Sequence, residues 1–126
     1  TLAQHVAAQI PGVQVAAHAL DDAKLQDVLA TADLIVNTTS IGMQSPDDTP
    51  LPESLIRSRH LVCDIVYRPL HTRLLREARK RGARALDGLG MLIHQGSAAF
   101  EWWTGQPFPV DRVRQSLIEA LNGAAR

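Results

Sequence analysis

The sequence predicts an α/β domain built around a mostly parallel sheet. Three observations carry this. Short apolar runs without polar alternation, Leu34-Ile35-Val36 and Leu61-Val62-Cys63 among them, suit strands covered on both faces. Between them lie segments whose apolar residues recur at three- and four-residue spacing, the period of a helix with one buried face. The two kinds of segment alternate along the chain, which is the order that lays helices against a parallel sheet.

Taken in order, Leu2, Val6 and Ile10 recur every four residues, so the chain opens in or at the start of a helix that Thr1 can cap. Pro11-Gly12 ends it. Val13 to Ala19 is short, apolar and partly alternating, and is predicted as a strand. Asp21 and Asp22 open a second helix, where acids suit the positive end of the dipole, with Leu25, Val28 and Leu29 on one face. Leu34 to Val36 is a strand ending at Asn37. Thr38 to Pro52, rich in Thr, Ser, Gly, Asp and Pro, reads as a long loop too poor in apolar residues to enter a core, and Pro52 to Arg57 as a short helix. Leu61 to Tyr67 is predicted as the next buried strand. Leu70, Leu74, Leu75 and Ala78 mark a helical stripe closed by Arg79-Lys80-Arg81 and Gly82, with the bases at the end that favours them. Ala83 to Leu86 is a brief strand leading to Asp87. From Gly90 to Trp103 the apolar residues cover most of a helix's circumference, which predicts a largely buried element with Trp102 and Trp103 in core or interface packing. A last helix uses Val110, Val113, Leu117 and Leu121, opened by Pro109 and closed by Asn122-Gly123.

Composition narrows the function. The 126 residues are enough for one domain, and 45% hydrophobic with 21% charged is ordinary for a globular chain. Thirteen basic residues against 13 acidic give no net charge, which argues against a nucleic-acid partner, because phosphate binding needs clustered Lys and Arg. No apolar run approaches a membrane span and no secretory signal opens the chain. The single cysteine, Cys63, cannot form an internal bridge and fits a reducing cytoplasm. The five histidines and Cys63 show no metal-ligand spacing.

Three predicted strands end in polar residues: Asn37, Asp64 and Asp87. In an open parallel sheet these ends share one edge, outside which ligands bind; Asn and Asp are also common turn residues, and both readings stand for each. Asp64 is the most telling, because Ile65, Val66 and Tyr67 continue the apolar run past it. A buried carboxylate costs several kcal/mol, on the order of 3 or more, unless something holds it, whether a loop amide, a hydroxyl or a ligand. Gln95 shares a helix face with Met91, Leu92, Ala98, Ala99 and Trp102, an apolar surround for an amide that either meets a ligand or bonds a neighbouring carbonyl. His94, beside Ser97 and Glu101, reads as a surface histidine. No G-x-G-x-x-G occurs, and Gly88-Leu89-Gly90 alone is a tight turn.

Several segments together resemble the shikimate dehydrogenase family: VNTTSIGM (Val36 to Met43), DIVYRPLHTRLL (Asp64 to Leu75) and GLGMLIHQGSAAFEWWTG (Gly88 to Gly105), in that order and at that spacing. With the helices between them they cover nearly all of the chain from Ala32. In that family a Rossmann-like C-terminal domain binds NADP and an N-terminal domain binds shikimate. The resemblance implies an incomplete Rossmann-like, doubly wound, mostly parallel sheet. Residues 1–126 would be the C-terminal portion of the NADP-binding domain, lacking the Gly-rich turn, the segment that reads the 2'-phosphate, and the substrate domain with the family's catalytic Lys and Asp pair. On this reading an element that normally precedes the first helix is missing; the plainer reading of Thr1 is a processing boundary.

The implied site residues follow from the same match. Ile65 and Gly88 fall where the family meets the nicotinamide of NADP, and Met91 lines that pocket. Asn37, Thr38 and Thr39 lie in the loop beside the cofactor. Tyr67 and Gln95 match contributions to shikimate binding, Asp64 would hold this wall in place, and no catalytic acid or base maps onto the chain. The implied reaction is reversible NADPH-dependent reduction of 3-dehydroshikimate to shikimate in the cytoplasm, by a parent enzyme that could be a homodimer. The alternatives are a quinate or shikimate-like dehydrogenase using NAD, and a non-catalytic binding module.

Overall fold

A computed structural model describes residues 1–123, and the chain divides into two units, Thr1–Thr31 and the stretch from Ala32 onward. In the first, α1 (Leu2–Gln9) starts with a reciprocal cap. The Gln4 amide donates to Thr1 Oγ1 at 3.4 Å, and the Thr1 amino group donates to Gln4 Oε1 at 2.7 Å, satisfying donors that a helix start leaves open. The strand predicted over Val13 to Ala19 does not form. Its residues are exposed, and no ladder reaches them among the described residues. Alternation alone supplies no hydrogen bonds; a strand is held by a neighbour. Before α2 (Leu25–Thr31), the Asp22 carboxylate accepts from the Lys24 amide at 2.9 Å and meets the His18 ring at 3.1 Å. Chiefly the amide, then His18, holds the Asp22 carboxyl below its usual range.

In the second unit β1 (Leu34–Asn37), β2 (Leu61–Asp64) and β3 (Arg84–Leu86) form a parallel sheet in the order β1-β2-β3. The register sets Ile35 beside Val62 and Val62 beside Ala85. Against that row packs α3 (Arg73–Lys80), touching β2 and β3 and burying Leu74, Leu75 and Ala78. The alternate row carries Val36 and Leu86, which stay exposed.

Two boundaries differ from expectation. The strand predicted to reach Tyr67 ends at Asp64, although Ile65 N still donates to Asn37 O at 3.1 Å and Gly88 N to Val66 O at 3.4 Å. Asp64 Oδ1 accepts from the Val66 amide at 3.0 Å, and that local bond turns the chain out of the ladder. Leu70 lies outside the helix it was assigned to. Thr72, with extended backbone angles, is the N-cap of α3, so helical geometry cannot continue upstream of it.

The loop from Thr38 to Pro52 forms as expected but does contribute to the core, through Leu51. A single 3-10 turn (Glu53–Leu55) follows it, and Ile56 is fully buried. Lys80 Nζ reaches Glu53 Oε2 at 3.0 Å across this surface, with the lysine side chain 71% exposed. Such a pair contributes little, so Lys80→Ala is expected to shift stability by less than about 0.5 kcal/mol in a urea titration.

The largest departure concerns α4 (Leu89–Thr104). Its sequence is apolar nearly all round, yet only the stripe Leu89, Ile93 and Ser97 is buried. Trp102 and Trp103 are 85% and 75% exposed, so they are not core residues. The element packed along α4 is α5 (Val110–Gly123), and a helix face without an opposing element stays open whatever its composition. Val110, Val113, Leu117 and Leu121 of α5 are half-buried, in keeping with their spacing. The helix includes Asn122 and Gly123, the last of the described residues.

Candidate functional site

The parallel sheet brings the polar strand ends to one edge, with Asn37 directly beside Asp64 in register. Both are buried, at 4% and 2% exposure, and they are bonded to each other: Asn37 Nδ2 donates to Asp64 Oδ1 at 3.0 Å. The same amide nitrogen donates to Ile41 O at 3.2 Å, while Asn37 Oδ1 accepts from the Thr39 amide at 3.1 Å and from Thr39 Oγ1 at 2.7 Å. All four hydrogen-bonding positions of Asn37 are therefore taken by protein groups. Asp64 is held as its burial requires. Besides Asn37 and the Val66 amide, Thr72 Oγ1 donates to Asp64 Oδ2 at 2.6 Å. Asp87, at the end of β3, accepts from the Leu89 amide at 3.1 Å, which is a turn bond at the start of α4.

Two grooves open beside this buried network. One, of about 460 Å³, is lined by the apolar Ile65, Met91 and Leu92 together with Thr38, Thr39, Ser40, Tyr67 and Gln95. Met43 lines it as well. The other, of about 560 Å³, shares Ile65 and Met91 and adds Gly88, Gly90, Asp87 and Arg114. Of the residues singled out in the sequence, Thr38, Thr39, Ile65, Tyr67, Met91 and Gln95 thus meet in one groove, Gly88 lies in the adjoining one, and Asn37 lies beneath.

Gln95 is exposed, and its Nε2 donates to Leu92 O, on its own helix, at 3.0 Å. That carbonyl already belongs to a helical turn, so the amide can exchange this bond for a ligand at small cost. Tyr67 is 39% exposed. The crossing at Gly88 is tighter than a turn needs. A Cβ there would collide with the carbonyl oxygen of Ile65 and would lie 2.5 Å from the Ile65 carbonyl carbon and 2.9 Å from that of Val66.

Sequence reading missed Ser40, Met43, Leu92 and Arg114. The first two stand inside the motif already quoted and Leu92 follows Met91, so adjacency could have found them; nothing in the amphipathic pattern of α5 marks Arg114. No group of His, Cys, Asp and Glu among the described residues could hold a metal, and no helix of the described residues is long and apolar enough to cross a membrane.

Residues 88–118, the turn at Gly88 with α4 and the start of α5, match the family described as Shikimate 5'-dehydrogenase C-terminal domain. The shikimate dehydrogenase (NADP(+)) of Haloarcula marismortui is 49% identical over 104 residues, 82% of this chain and 38% of that protein. The chain matches the C-terminal part of the shikimate dehydrogenase family. Among solved structures, the shikimate 5-dehydrogenase of Listeria monocytogenes in complex with shikimate and NAD superposes with a TM-score of 0.79 at 34% identity, over 87% of this chain and 39% of that one. The quinate dehydrogenase of Corynebacterium glutamicum in complex with NAD superposes at 0.70 with 40% identity, over 75% of this chain and 34% of that one. The chain therefore spans little more than a third of the length of the shikimate dehydrogenases it matches, and the match falls on their C-terminal part.

Proposed function

We propose that this chain forms the nicotinamide- and substrate-facing wall of an NADP-dependent shikimate dehydrogenase acting in the cytoplasm, which interconverts 3-dehydroshikimate and shikimate. The observation that carries the reading is the 460 Å³ groove, which a phenol and an amide line together with apolar side chains at the carboxyl edge of a parallel sheet. Ile65 and Met91 offer apolar surface suited to one face of a heteroaromatic ring, with Thr38 and Thr39 lining the same groove. When bound, NADP supplies the hydride chemistry. The chain's own residues orient: Ile65, Met91 and the Gly88 backbone set the ring's position, Thr38 and Thr39 flank it, and Tyr67 and Gln95 bond the hydroxyls and carboxylate of the polyol. Asn37 acts from below by fixing the loop. Diphosphate recognition, 2'-phosphate recognition and proton transfer belong in this reading to a further part of a longer enzyme, of which residues 1–126 are the C-terminal portion of the cofactor domain.

In that longer enzyme, Tyr67→Phe and Gln95→Ala are each expected to raise KM for shikimate about tenfold, the worth of one hydrogen bond to a charged or polyol ligand. Steady-state kinetics with shikimate and NADP+ check this; unchanged KM in both variants would remove the two residues from the site. The quinate dehydrogenase neighbour supports a second reading, the same wall serving quinate and NAD. Turnover compared across both substrates and both cofactors separates the two.

A further inference from the structure

The buried network beneath the groove extends to a residue that lines neither groove. Thr72 is 1% exposed and occupies the N-cap of α3, where its Oγ1 accepts from the Leu75 amide at 3.4 Å. The same hydroxyl gives its proton to Asp64 Oδ2 at 2.6 Å. Through Oδ1 the carboxylate then holds Asn37 Nδ2 and the Val66 amide, and Asn37 in turn holds Thr39 and Ile41. The loop also passes close to Thr72 itself: Gly42, with φ of +92°, lies where a Cβ would be 3.5 Å from Thr72 Cγ2.

We propose that Thr72 is a positioning residue that sets both walls of the groove through Asp64: the Thr38–Ser40 loop by way of Asn37, and the Ile65–Tyr67 segment by way of the Val66 amide. The physical reason is the carboxylate's inventory. Thr72 is the donor that anchors Oδ2; without it a buried anionic oxygen is left unmatched, and Asp64 must rotate or draw in water to recover a partner. Rotation releases the two donors on Oδ1, which are the ones that define the walls. A hydroxyl fits this place because it accepts from the helix start and donates to the acid at once.

The consequence for ligand binding rests on the function proposed above; the coupling itself does not, and the test separates them. Thr72→Ser keeps both bonds. Thr72→Val removes both. Thr72→Asp keeps an N-cap acceptor for the Leu75 amide but offers no proton to Asp64 at neutral pH and sets a second carboxylate against it. Amide hydrogen exchange in the full-length protein carrying this chain is expected to show Thr39, Ile41 and Val66 exchanging about tenfold faster or more in the Val and Asp variants and near wild type in the Ser variant. KM for NADP+ and for shikimate is expected to rise about fivefold to tenfold in Val and Asp while kcat changes less, with Ser restoring both. If the Asp variant leaves those three amides and the KM values at wild-type levels, Thr72 is a helix cap and the proposal is overturned. Should the Asp variant not fold, the Val and Ser pair decides: faster exchange confined to Leu75 and Arg76 in Val also overturns it. Faster exchange at the loop with unchanged KM values upholds the coupling and counts against the groove as the binding wall.

Discussion

Gly88→Ala is expected to destabilise the second unit by about 3 kcal/mol or more, at the upper end of what overpacking costs. The added methyl would strike the Ile65 carbonyl group and approach the Val66 carbonyl carbon, and both neighbours are backbone, so no rotamer change makes room. Relief requires moving the Ile65–Val66 segment away from the start of α4. That movement also stretches the bond from Gly88 N to Val66 O, already 3.4 Å long. A urea titration at unchanged m reads the cost as a lowered midpoint. Gly96→Ala is the control: a Cβ at Gly96, in the middle of α4, meets nothing within 4 Å, and alanine there is expected to stabilise by about 0.5 kcal/mol or more through helix propensity. Equal midpoints for the two variants would show that the crossing can relax.

Asp64→Ala is expected to cost a similar amount, about 3 kcal/mol, for a different reason. The substitution removes an acceptor and leaves three donors, Asn37 Nδ2, the Val66 amide and the Thr72 hydroxyl, in a place that solvent barely reaches. Leaving buried donors unmatched is more costly than the net worth of the bonds they made. The loss should appear as a lowered midpoint together with faster exchange at Val66 and Thr39. A shift under about 1 kcal/mol would mean that water enters and takes the place of the carboxylate.

Asp64 also shows how far the sequence could be read. An acid inside the apolar run from Leu61 to Tyr67 had to be held by something, and its partners are a loop amide and a hydroxyl, as that reasoning allowed, with the Asn37 side chain in addition. What sequence could not give was the choice of Asn37 and Thr72, because those contacts depend on the register of β1 against β2 and on where α3 begins. The parallel strands from Leu34, the loop, the stripe of α3 and the face of α5 were legible, since each follows from local periodicity and punctuation. Val13 to Ala19 and the exposure of α4 were not. Both depend on whether another element lies alongside, and periodicity records a face that wants covering without recording what covers it. At Gly88 the residue type was legible and its reason was not: the space a Cβ would need is taken by the chain's own backbone between Ile65 and Val66.

The exposed end of α4 has an optical consequence. Both tryptophans of the chain sit there, adjacent and largely in water. Their emission in the folded chain should already lie at the long wavelengths of a hydrated indole, so unfolding should change it little, and the core is better followed by far-ultraviolet dichroism. The same arrangement makes them a selective reporter. An apolar surface that settles over the last turn of α4 would shift the emission to the blue and protect it from a soluble quencher, while rearrangements around Asp64 would pass unseen.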